Sequence, residues 1–135
     1  PNQVNNSVCF PGILKGALLV RARGISDGMA IRCAHSLADF AKGRPGGIAP
    51  DDILPSMEES ELFAVEAADV AEQAAKEGLA RSPLPRAEVR ERAAADIAAA
   101  RASYRALMDG GHIPRPDPAM IREAAAWATA ALGEK

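Results

Sequence analysis

The sequence predicts an all-α chain of about five helices, and three observations carry the prediction. Thirty of the 135 residues are alanine, the best helix former and a residue in which β-sheets are poor. Aromatic residues make up only 4%, so a core would have to be built from helices that approach closely through small side chains rather than from a sandwich or barrel. Apolar residues recur at spacings of three and four in segment after segment, with Gly, Pro and capping residues between the segments.

The elements follow in order. Pro1 to Ser7 (PNQVNNS) reads as a polar loop. Phe10-Pro11-Gly12 opens the first helix, where Pro11 sits in the first turn and its missing N–H costs nothing. Ile13, Leu14, Ala17, Leu18, Leu19 and Val20 are apolar on most sides, so this helix, ending at Gly24, is expected to be covered nearly all round. It should pack inside the other four helices or against a second copy of the chain. Gly16 in its interior costs about 1 kcal/mol relative to Ala, and a close neighbouring backbone is the expected reason for it. Ser26 is a good N-cap for a second helix, about 27–42, with Met29, Cys33, Leu37 and Phe40 on one face. Gly43 to Gly47 breaks it, and 48–55 is a loop with two prolines.

Ser56 and Glu59 have the spacing of a capping box, which predicts a third helix from there to about Glu77 with Phe63, Ala67, Val70 and Ala74 on one face. Glu72 and Lys76 are spaced to pair, and Gly78 suits the position after the last turn. Ser82-Pro83-Leu84-Pro85 is a stop. The fourth helix, about 86–108, carries the stripe Val89, Ala93, Ile97, Ala100, Tyr104, Leu107 and the pair Glu88–Arg92. Asp117-Pro118 caps a fifth helix ending near Leu132, with Ile121, Ala125 and Ala128 on one side and Trp127 beside them.

The same arithmetic excludes several classes of function. A net charge of −2 and a pI near 5.7 give no electrostatic case for nucleic acid. No run approaches the roughly 18 apolar residues of a membrane span. Cys9 and Cys33 cannot make a disulfide framework or a four-ligand zinc site, and read as small buried hydrophobes in a reducing compartment. No G-x-G-x-x-G, phosphate loop, H-E-x-x-H, C-x-x-C or G-x-S-x-G occurs. His35 and His112 read as ordinary histidines, Asp51-Asp52 as a solvated turn, and Tyr104 and Trp127 as core or interface anchors. What is left is the amide-rich string before the first helix. It is either a turn, because Asn bonds its own backbone readily, or a binding loop. A primary amide donates and accepts while staying neutral, so it can hold a carboxylate or a hydroxyl without adding charge near a reacting carbon.

At these residues the sequence resembles the malic enzyme family in its bacterial form. Asn5-Asn6, then Phe10-Pro11-Gly12-Ile13, then Gly16-Ala17-Leu18 follow the family's pattern near the end of its NAD(P)-binding domain. The helix from Ser26-Asp27-Gly28-Met29 to Ala41 is similar too, as are Ile53-Leu54-Pro55-Ser56 and Glu77-Gly78-Leu79-Ala80. The resemblance spans about 1–82, strongest over the first 22 residues, and assigns 83–135 to a helical tail. It implies the C-terminal helical part of a Rossmann-type α/β domain in a parent enzyme that converts L-malate to pyruvate and CO₂ with NAD or NADP and Mg²⁺ or Mn²⁺. It implies that Asn5 and Asn6 bind substrate or cofactor, without saying which touches malate. The Gly-rich loop, the metal carboxylates and the catalytic Lys and Tyr have no counterpart here; neither Lys15 nor Tyr104 matches them, so no catalytic or metal residue is assigned. The chain starts at Pro1 inside the motif, which gives the expectation of a C-terminal fragment, inactive alone, belonging to a cytoplasmic homo-oligomer. The alternative is an autonomous Ala-rich helical interaction or oligomerisation module. Such a bundle has no reason to carry Asn-Asn, Phe-Pro-Gly-Ile and Gly-Ala-Leu at this spacing.

Overall fold

The computed structural model describes residues 6–133, and the chain divides at Ala98 into two compact units. A 3₁₀ turn at Asn6–Val8 is followed by α1 (Phe10–Leu19), α2 (Asp27–Gly43), α3 (Glu61–Lys76), α4 (Arg86–Asp109) and α5 (Pro118–Gly133). No strand occurs among the described residues; two isolated bridges, Ala22 with Ala80 and Ala49 with Asp52, are the only β pairings there.

The first unit is built around α3. Ten of its residues are buried: Leu62, Phe63, Ala64, Glu66, Ala67, Ala68, Asp69, Val70, Ala71 and Ala74. Five of these are alanines, so neighbouring helices can approach α3 closely on more than one side. α1 and α2 both pack on it, and Val20, Met29, Cys33, Val89 and Ala93 complete the core from the other elements. Each fully buried Val, Leu or Met contributes roughly 1.5–3 kcal/mol.

α3, not α1, is therefore the helix covered on most sides. α1 buries Gly12 and Gly16 against α3, while Phe10, Leu14 and Leu18, spaced four apart along its outer face, are 51%, 48% and 73% exposed. The expectation that α1 packs inside the other four helices holds for one face only. Its apolar residues surround the axis, and the described residues supply partners for one side of it.

The expected close approach at Gly16 is real. A Cβ built there would lie 2.5 Å from the Ala67 carbonyl oxygen and 3.1 Å from Ala67 Cα. The end of α1 differs from the expectation. The helix stops at Leu19, and Arg21, not Gly24, takes the left-handed conformation (φ 52°). The Ala22 N–H donates to the Ala17 carbonyl and the Arg21 N–H to the Leu18 carbonyl, a Schellman closure. α3 ends the same way at Gly78 (φ 69°), with Leu79 N–H on Ala74 O and Gly78 N–H on Ala75 O. The two closures lie side by side: Arg23 N–H donates to Leu79 O and Ser82 N–H to Val20 O.

Ser26 caps α2 by accepting from the Met29 N–H at 3.1 Å. The capping box before α3 forms by half. Glu59 Oε1 accepts the Ser56 N–H, but the Ser56 hydroxyl accepts from Glu58. These residues make a separate turn, and α3 starts five residues after Ser56, at Glu61. The pairs Glu72–Lys76 and Glu88–Arg92 are present.

The second unit, from Ala99, holds the rest of α4 and α5. The closure after α4 repeats the pattern, with Gly111 at φ 72° and His112 N–H on Leu107 O. Asp117 Oδ1 accepts the Ala119 N–H at the start of α5, as its position before Pro118 predicts. The α4 stripe is buried at Val89 and Ala93 only; Tyr104 and Trp127 are 56% and 75% exposed, so neither is a core anchor among the described residues.

Two helical glycines should respond to alanine with opposite signs. Helix propensity alone predicts that Gly16→Ala stabilises. The backbone contact with Ala67 predicts instead a loss of about 1–3 kcal/mol from overpacking. Gly43, with nothing within 4 Å of an added Cβ, should gain up to about 1 kcal/mol on substitution by alanine. Urea denaturation of both variants measures the two signs, and a stabilised Gly16→Ala protein would contradict the packing described.

Candidate functional site

The amide loop meets the core through a short, well-anchored segment. Asn5 lies outside the described residues. Asn6 opens the 3₁₀ turn; its carbonyl accepts the Cys9 N–H at 3.1 Å and its side chain is exposed. Val8 is buried and Cys9 half-buried, and the Cys9 carbonyl accepts the Ile13 N–H, continuing into α1. Pro11 lies in the first turn as expected. Gly12 lies against Glu66 of α3, and any side chain there would come within 3.0 Å of Glu66 Cβ. Phe-Pro-Gly thus turns the chain into α1 and seats it on α3, leaving the amide of Asn6 free to reach outward.

Beneath this turn, α1, α2 and α3 bring Cys9, Cys33 and Glu66 together, with their thiol and carboxylate atoms all within 4.8 Å of one another. Cys33 and Glu66 are fully buried. The Cys33 thiol donates to the Cys9 carbonyl at 3.7 Å. Neither carboxylate oxygen of Glu66 has a hydrogen-bond partner among the described residues. Burial pushes the Glu66 carboxyl up to about 8, with the nearby Cys33 thiol opposing the shift. Burial, and then the charge of Glu66, raise both thiols above their ordinary value. Sequence reasoning placed the two cysteines in the interior but did not join them to Glu66. The only local signal was Glu66 itself, three residues after Phe63 and four before Val70, on the stripe assigned to the core.

One turn further along α3, Asp69 is also buried, yet fully engaged. Its Oδ2 accepts from the Ser36 hydroxyl at 2.6 Å and lies 2.9 Å from Arg32 Nη2, and its Oδ1 accepts from Arg86 Nε at 2.7 Å. Burial alone would raise this carboxyl. Hydrogen bonds from Arg86 and Ser36, with the charges of Arg86 and Arg32, hold it below its ordinary value. The cluster ties α2, α3 and the first turn of α4 to one side chain.

The other candidates resolve as surface chemistry. His35 and His112 are exposed. Asp51 and Asp52 are exposed too, and Asp52 pairs with Arg44, which also reaches Glu59 at 3.3 Å and so clasps the loop to the turn before α3. Lys15 pairs with Asp96, and Ser26 with Glu77.

Comparison with known proteins gives one family. The family model described as "Malic enzyme, NAD binding domain" matches residues 1–76. The NAD-dependent malic enzyme of Rhizobium meliloti (strain 1021) is 35% identical over 96 residues, covering 62% of this chain and 12% of that protein. The bifunctional malic/malolactic enzyme of Bacillus subtilis (strain 168) is 35% identical over 92 residues, covering 68% of this chain and 22% of its own length. Among solved structures, the malic enzyme of Entamoeba histolytica superposes with a TM-score of 0.88 at 50% identity, over 96% of this chain and 26% of that one. The chain thus spans between about an eighth and a quarter of the relatives it matches.

The Asp69 cluster sets a pH test. The folded state holds this carboxylate more strongly than the unfolded chain does, so the unfolded state binds the proton first as pH falls. The stabilisation is complete above the ordinary Asp value near 4 and is lost as pH drops through the lower folded-state value. Asp69→Ala should cost about 3 kcal/mol near pH 7, the low end for breaking a buried pair because both arginines retain water. The variant should also lose less stability than the parent chain between pH 5 and 2. Thermal melts across that range check both, and parallel pH profiles would contradict the assignment.

Proposed function

This chain belongs to the malic enzyme family, and on that premise we propose that it is part of a longer NAD(P)-dependent enzyme that oxidises L-malate and decarboxylates the product to pyruvate and CO₂. Residues 1–82 belong to the cofactor-binding domain in this reading, and 83–135 form its helical tail. The family match over residues 1–76 carries the proposal. An autonomous interaction module is not favoured, because the family match covers residues 1–76 and the Entamoeba histolytica superposition 96% of the chain.

The local role follows from the amides. Asn5 and Asn6 bind the substrate and the nicotinamide end of the cofactor, the NH₂ groups donating to a carboxylate and the carbonyls accepting from a hydroxyl or amide. Exposure of Asn6 above a turn pinned by Val8 and Gly12 supports this, because the amide can be held in place without being consumed by the fold. The nicotinamide, when bound, accepts the hydride. The described residues supply no hard-cation site: the one grouping of potential ligands contains two thiols, and Mg²⁺ and Mn²⁺ prefer oxygen donors. In this reading the divalent ion is held mainly by other parts of the enzyme.

The outer face of α1 fits the same reading. Leu14, Leu18 and Ile25 line an open cavity of about 440 Å³ together with Arg21 and Arg81. With Phe10 this forms an apolar strip suited to the remainder of an α/β domain. No helix among the described residues is long and apolar enough to cross a membrane. A cytoplasmic homo-oligomer is the proposed setting.

Two measurements test the proposal. In the enzyme containing this chain, Asn5→Ala and Asn6→Ala should each lower kcat/KM for malate roughly 10- to 150-fold, the worth of a hydrogen bond to a charged group. The melting temperature should be unchanged in Asn6→Ala because the side chain is exposed. Wild-type kinetics in both variants would refute the assignment. The 135 residues alone should produce no malate-dependent NADH or NADPH absorbance, and turnover by them would overturn the view that the catalytic groups lie elsewhere.

A further inference from the structure

The cluster of Cys9, Cys33 and Glu66 has no part in the reading above, and it poses a problem that the fold leaves open. Glu66 is fully buried with both oxygens unpartnered among the described residues. Ionised, it would be an uncompensated charge in the core; protonated, it would still leave polar atoms unmatched. Buried polar groups without partners are rare enough in folded proteins to call for a specific explanation. Two thiols converge on this same carboxylate from two other helical segments, all three donor atoms within 4.8 Å of one another. We propose that Cys9, Cys33 and Glu66 form a structural binding site for a soft divalent metal, Zn²⁺ in chemical class, distinct from the hard cation of malate oxidation.

The donor set selects the ion. Two thiolates and one carboxylate suit Zn²⁺, which accepts sulfur and oxygen together in a four-coordinate shell, and disfavour Mg²⁺ and Ca²⁺. Three protein donors leave the fourth position to water or another oxygen. Binding displaces the thiol protons, so uptake is coupled to proton release. Cys9 is half-buried, which gives the ion a way in, whereas Cys33 and Glu66 close the inner side. The three donors sit at the start of α1, in the middle of α2 and in α3. A bound ion would therefore staple together the elements that seat the Asn6 turn. This differs from the isolated reading of the two cysteines as small hydrophobes: each alone is inert, and the third ligand comes from a helix whose sequence shows only a buried glutamate.

Cobalt substitution tests the site in the full 135-residue chain, reduced and stripped with EDTA. Co²⁺ titration should reach one equivalent per chain with a thiolate-to-cobalt charge-transfer band in the near ultraviolet, accompanied by proton release and reversed by Zn²⁺ but not by Mg²⁺. Cys9→Ser and Cys33→Ser should each weaken the band and lower Co²⁺ affinity at least tenfold. Glu66→Gln should lower affinity at least tenfold while leaving the thiolate band. Absence of the band at saturating Co²⁺, or its survival in both cysteine variants, overturns the proposal. Because a cysteine variant can fail to fold, the wild-type chain provides an independent readout. Zn²⁺ should slow alkylation of Cys9 by iodoacetamide at least tenfold and Mg²⁺ should not; an unchanged rate with Zn²⁺ overturns the site.

Discussion

The close approach of α1 to α3 is the constraint on which the first unit depends. Gly16 meets the backbone of Ala67, and Gly12 lies directly on Glu66. Neither contact leaves room for a side chain: Gly16 meets backbone where α3 carries an alanine, and Gly12 meets the Glu66 side chain. Once α1 is seated this deeply, the 3₁₀ turn before it is held by Val8 at the surface of the core, and Asn6 is presented outward. The same approach brings the C-terminal closures of α1 and α3 side by side, so that their backbone groups satisfy each other through Arg23, Leu79, Val20 and Ser82. One packing decision thus positions both ends of the helix.

Two acidic residues one turn apart on α3 show how differently the interior treats charge. Asp69 is surrounded by Ser36, Arg32 and Arg86, and remains a carboxylate. Glu66 faces Gly12 and two thiols, and burial holds its proton past neutral pH. Burial is common to both; the difference is whether donors reach the oxygens. Asp69 uses its charge to join three helices. Glu66 gains nothing from its charge in the bare fold, which makes a positively charged partner the natural complement to its position.

Helix number, order and caps were legible because they depend on residues a few positions apart. Ser26 accepts from Met29, Asp117 caps the start of α5, Gly78 closes α3, and Lys76 pairs with Glu72, each a matter of local spacing. The misreadings share a cause. α1 was expected to end at Gly24 because glycine takes the left-handed conformation most cheaply, but Arg21 takes it because the chain must turn where Val20 enters the core. α3 was expected from Ser56, but Arg44 holds Glu59 in a separate turn. Of the two readings of Tyr104 and Trp127, core or interface anchors, the core one fails, because both are exposed.

By itself the sequence determined the helical class, the positions of the helices and the family motif that ends in Phe-Pro-Gly-Ile, since each is written in short-range order. It left the Asn5-Asn6 string open between a turn and a binding loop, and only the family resemblance implied a binding role there. The tertiary structure decided which faces are buried. It put α3, not α1, at the centre, left Phe10, Leu14 and Leu18 in the open, and joined residues 9, 33 and 66. No helical period relates those three positions. They meet only because α1 and α2 pack on one helix, and that crossing is set by where glycine and alanine allow backbones to touch.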